Sequence, residues 1–76
     1  MHHGPRHPDC TVELTGQDGN AFFILGTVRR ELDRHLRAEG WSRQEIKEEV
    51  NAYLEEAMSS DYDALLATTM RWVNVE

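Results

Sequence analysis

One cysteine, two prolines and no apolar stretch near the ~18 residues of a membrane span mark the limits of this 76-residue chain. A lone thiol at Cys10 cannot close an internal disulfide or build a cysteine-based zinc site. With only His7 nearby in sequence to activate it, Cys10 reads as an exposed, unreactive surface thiol. The N-terminus lacks the apolar core of a signal peptide, so a cytosolic product is expected. Positive charge is also scarce: 8 Lys and Arg stand against 14 Asp and Glu, for a formal net charge of −6. Such a balance disfavours nucleic acid as a partner, because phosphate binding draws on displaced counterions at a positive surface. It suits a protein partner or self-association better.

Nucleotide motifs are missing too. Gly16-Gln17-Asp18-Gly19-Asn20 has no Lys for a Walker loop and does not match G-x-G-x-x-G, and Asp18 would repel a phosphate. An anion or nucleotide site at this turn is the third-ranked reading, and no cofactor is expected. His35 has no Ser or Cys arranged with it as a nucleophile, and Asp61 and Asp63 are explained by a helix N-terminus, where carboxylates are favoured. His2, His3, His7 and Cys10 would chelate a metal only adventitiously. The chain is therefore expected not to be an enzyme.

Apolar periodicity gives the organisation. Residues 1–10, with three His and two Pro, read as a disordered tail, and 11–76 as a single domain. Thr11 to Thr15 alternates as a short strand. Asp18-Gly19 could form a hairpin tip, or Asn20 could cap a helix. The helical spacing of Ala21, Leu25, Val28, Leu32 and Leu36 decides for the helix. Gly26 inside that helix predicts the close approach of another element. Gly40 ends the helix in a left-handed conformation. Ser42-Arg43-Gln44-Glu45 is a capping box that opens a second helix, and Ser60-Asp61-Tyr62-Asp63 opens a third. Trp72 to Glu76 alternates again. The expected fold is a small α+β domain of β-α-α-α-β order, its two short terminal strands pairing and packed on three helices.

The segments G-Q-D-G-N-A-F-F-I-L-G and S-S-D-Y-D-A-L-L-A-T-T-M-R-W-V-N-V-E resemble a family of short uncharacterised proteins of bacteria and their phages. In that family a G-x-D-G-N-A-F-x-I-L-G segment precedes a G-D-Y-D-x-L-L motif and a hydrophobic, acidic C-terminus. The similarity covers about residues 12–76, with Phe23 and Ser60 standing where the family often has a small residue and Gly. The resemblance implies an origin in bacterial genomes or mobile elements and brings no established activity.

Two groups of side chains remain as candidates. Six aromatics are more than so small a core can hide, so Phe22, Phe23, Trp41 and Trp72 are candidate interface anchors. Arg30, Arg34 and Arg37 share a face of the first helix. They either answer the acidic residues of the second helix across a hairpin, or contact nucleic acid. Glu45, Glu48, Glu49, Glu55 and Glu56 read as a solvated face. The leading expectation is a non-catalytic protein-interaction module of phage or mobile-element origin. The alternative is a nucleic-acid-associated regulator using the arginine face.

Overall fold

A computed structural model of the chain describes residues 4–14 and 19–76. Its element order is β1 (His7–Val12), α1 (Ala21–Ala38), α2 (Arg43–Ala57), α3 (Tyr62–Trp72) and β2 (Val73–Val75). The two strands pair in parallel as one two-stranded sheet, so the expected β-α-α-α-β order and the pairing of its ends both hold.

Local chemistry places each helix. Asn20 is extended and its Oδ1 accepts the Phe22 N–H at 2.8 Å, which starts α1 and rules out a strand over 20–25. Gly40, at φ 91°, follows the end of α1 in a conformation that an L side chain would resist. The capping box at α2 is complete: the Glu45 N–H donates to Ser42 Oγ at 3.1 Å, and the Ser42 N–H donates to Glu45 Oε1 at 2.9 Å. That backbone donor also holds the Glu45 carboxyl below its ordinary range. Asp61 starts α3 by accepting the Ala64 N–H at 2.9 Å.

Val12 and Val73 from the strands meet Val28, Leu32 and Leu36 of α1, Tyr53 of α2 and Trp72 of α3 in one core. Tyr53 hydrogen-bonds Thr69 Oγ1 at 2.8 Å inside it, and Thr69 in turn donates to the Leu65 carbonyl at 2.9 Å. Burial pushes the Tyr53 hydroxyl pKa up.

The N-terminal boundary needs correction. The first strand begins at His7, not Thr11, so the expected disordered tail over 1–10 is already structured from Arg6 onward. The Arg6 N–H donates to the Arg71 carbonyl at 2.8 Å, ahead of the paired residues His7 and Val73. The register is irregular between His7 and Thr11, where Pro8 has no N–H to give a ladder. Cys10, expected at the surface, is only 3% exposed. Burial, with Glu31 and Glu39 nearby, pushes its thiol pKa up. Labelling with a disulfide reagent at pH ~8 should accordingly be slow in the native protein and fast in denaturant; equal rates would place Cys10 outside the core.

Gly26 is a second correction. A Cβ built there would have nothing within 4 Å among the described residues, so the expected close approach is not found in them. Gly26→Ala is expected to stabilise the domain by about 1 kcal/mol, a thermal shift of about 4–8 °C. A fall in melting temperature would mean that the site is not open.

Candidate functional site

Helices α1 and α2 pack side by side and leave an open groove of about 1130 Å³ between them. That exceeds the ~300–1,000 Å³ of small-molecule pockets and suits a segment of a macromolecule. On α1 the groove follows the spacing of Phe22, Gly26, Arg29 or Arg30, Asp33 and Arg37; on α2 it follows Arg43, Ile46 or Lys47, Val50 and Leu54. Both sets repeat at three and four residues, the period of one helix face. Aliphatic side chains of α2 and the half-buried Phe23 supply the apolar floor.

The rim is basic. Arg29, Arg30, Arg34, Arg37, Arg43 and Lys47 all line the groove, which leaves only Arg6 and Arg71 elsewhere among the 8 Lys and Arg of the chain. Both outside residues are paired with carboxylates: Arg6 with Glu49 at 2.7 Å and Arg71 with Glu56 at 2.9 Å. Within the groove Arg34 reaches Glu31 at 2.5 Å and Arg37 reaches Asp33 at 2.6 Å, each along α1 itself. Among the described residues Arg29, Arg30, Arg43 and Lys47 have no ion-pair partner, although carboxylates outnumber cations in the chain. The expectation that α1 arginines answer α2 carboxylates is thus corrected. The two helices meet along cationic edges, and the ion pairs of Arg34 and Arg37 run along α1 instead of across to α2.

Glu49 does not belong to a solvated face either. It is 9% exposed and holds the N-terminal segment in place. Arg6 donates to both of its oxygens, Nε to Oε2 at 2.7 Å and Nη2 to Oε1 at 3.1 Å. His7 Nε2 lies 2.7 Å from Oε2; a carboxylate can only accept, so this nitrogen carries the proton. The His7 ring sits between Trp41, at 5.9 Å, and Trp72, at 6.0 Å, and the Arg6 guanidinium lies 4.7 Å over the Trp72 ring. Among the described residues no buried side-chain polar atom lacks a hydrogen-bond partner, so this cluster reads as a structural clamp.

The aromatic candidates divide. Phe22 is 82% exposed at one end of the groove, Phe23 is half-buried beside it, and Trp41 is half-buried at the other end. Trp72 is buried and cannot anchor an interface; its ring meets Tyr53 edge-on at 5.8 Å. Arg30, Arg34 and Arg37 do come together, as expected. Sequence reasoning missed Arg43, Lys47 and the floor. The signal was the step of four from Arg43 to Lys47, parallel to the apolar step from Ile46 to Val50.

Gly16, Gln17 and Asp18 of the proposed anion turn, and His2 and His3, lie outside the described residues. Of the rest of the turn, Gly19 accepts a hydrogen bond from the Tyr62 hydroxyl and Asn20 caps α1. Among the described residues no group of three or more His, Cys, Asp and Glu could hold a metal ion, and no helix is long and apolar enough to cross a membrane. Comparison with family models, with curated proteins and with solved structures finds no match to this chain.

Proposed function

We propose that this chain is a non-catalytic interaction module that docks a partner protein along the groove between α1 and α2. One observation carries the reading: an acidic chain gathers most of its cations on one apolar-floored groove, where four of them have no ion-pair partner among the described residues. Exposed cations rimming an apolar strip favour a partner that brings both carboxylates and hydrophobic area. The paired Arg34 and Arg37 are no obstacle, since exposed ion pairs are worth about 0–1 kcal/mol and exchange readily for a partner's carboxylate. The widely exposed Phe22 offers an aromatic anchor at the groove's end. The resemblance to short bacterial and phage proteins is compatible with such a role.

A second reading, nucleic-acid binding at the same groove, draws on the meeting of arginines with Phe22, Phe23 and Trp41. The test is affinity capture from bacterial lysate by the wild type and by Arg30→Glu/Lys47→Glu, both with and without nuclease. A protein retained after nuclease and lost with the charge-reversed variant supports docking in the groove. Equal capture by both proteins overturns it, and capture abolished by nuclease transfers the groove to nucleic acid.

A further inference from the structure

Resting on that reading, we infer that the occupant of the groove is an acidic amphipathic α-helix of the partner. The two walls are themselves helices, whose backbone groups are used internally, so the groove offers side chains and few backbone partners. An extended segment laid there would leave its own N–H and C=O groups without a ladder, whereas a helix satisfies them itself. A third helix also fits the seam between two packed helices by seating its ridges between theirs. From Phe22 to Arg37 the α1 wall runs about 22 Å, or about four turns.

Gly26 fits the same picture. It weakens α1, has nothing among the described residues within 4 Å of where a Cβ would stand, and lies on the groove wall. A missing side chain at mid-wall lets an incoming helix come close, and the strip beyond it continues through Ile46, Val50 and Leu54. Charge sets the occupant's flanks. Arg29 and Arg30 on one wall and Arg43 and Lys47 on the other lack ion-pair partners among the described residues. Glu or Asp on both sides of an apolar stripe would meet them. Single-stranded nucleic acid fits less well, because its bases need open aromatic faces in succession. Here only Phe22 is widely exposed, Trp41 packs against His7, and the floor is largely aliphatic.

The test uses a fluorescent peptide of about 16 residues with Leu at helical i, i+3, i+4 and i+7 spacing and Glu on both flanks. Its controls are the same peptide with Lys for Glu, and a labelled oligothymidylate. Binding to the full chain is read by anisotropy at ~0.05 M and ~0.5 M salt. The expected result is salt-sensitive binding of the Glu peptide alone. It should weaken about tenfold or more in Arg30→Glu/Lys47→Glu and in Gly26→Leu, both checked for an unchanged circular dichroism spectrum. Gly26→Ala should raise the melting temperature while weakening the peptide.

Equal binding of the Glu and Lys peptides, or no binding of the Glu peptide, overturns the helix inference. Should lysate capture still yield a groove-dependent protein, the docking reading survives that failure. Oligothymidylate binding that is lost in Arg30→Glu/Lys47→Glu overturns both.

Discussion

Deletion of residues 1–10 is expected to abolish the cooperative thermal transition of the domain. The truncation removes the Arg6 N–H bond to Arg71, the buried His7 and Cys10, and most of β1. It also strips Glu49 of both donors while leaving its carboxylate in the interior. Breaking a buried ion pair by removing one side costs about 3–5 kcal/mol, and a chain of this length has about 4–11 kcal/mol in all. Far-ultraviolet circular dichroism against temperature is the measurement. A truncated protein that melts like the wild type would restore the disordered tail expected from composition. A finer comparison isolates the charge: Arg6→Ala/His7→Ala should lose most of the stability, and adding Glu49→Leu should recover part of it, since no uncompensated charge is then buried.

Trp72→Ala is expected to lower stability by about 3–5 kcal/mol, or about 12–40 °C in melting temperature. The indole is 4% exposed, meets Tyr53 edge-on, lies under Arg6, and donates through Nε1 to Glu56 Oε2 at 3.4 Å. Trp72→Phe keeps an aromatic ring in that space and gives up one long hydrogen bond, so its loss should be about 1 kcal/mol. The two variants separate a core role from an interface role. If Trp72 were a docking anchor, alanine would leave the melting temperature in place and weaken only partner capture.

Whatever depends on neighbours in sequence was legible. Asn20, Ser42 with Glu45, and Asp61 each satisfy a backbone donor within three residues, so the helix starts follow from residue type and spacing. Gly40 likewise ends α1. What failed depends on partners far along the chain. His7 and Pro8 belong to a strand because β2 and Glu49 hold that segment, and His7 and Glu49 are 42 residues apart. Composition alone made the same residues a tail. Glu49 stands among exposed acidic neighbours in sequence, yet it falls on the stripe of Ile46, Tyr53 and Ala57 that α2 buries. For the groove, the arginine stripe of α1 was readable. Its meeting with Arg43 and Lys47 was not, since the packing angle of two helices is not written in either one.

The parallel sheet has a consequence for how the chain acquires its shape. Asn74 Nδ2 reaches Thr11 Oγ1 at 3.2 Å across 63 positions, so β1 and β2 meet only after nearly the whole chain has been drawn together. Helices α1 to α3 rest on nearer contacts and can assemble earlier. During synthesis β1 leaves the ribosome before β2, and it finds its mate only when Val73–Val75 has emerged. Until then α1 can cover Cys10 and Val12, but the backbone edge of β1 stays without its ladder partner, and an unpaired strand edge is open to aggregation.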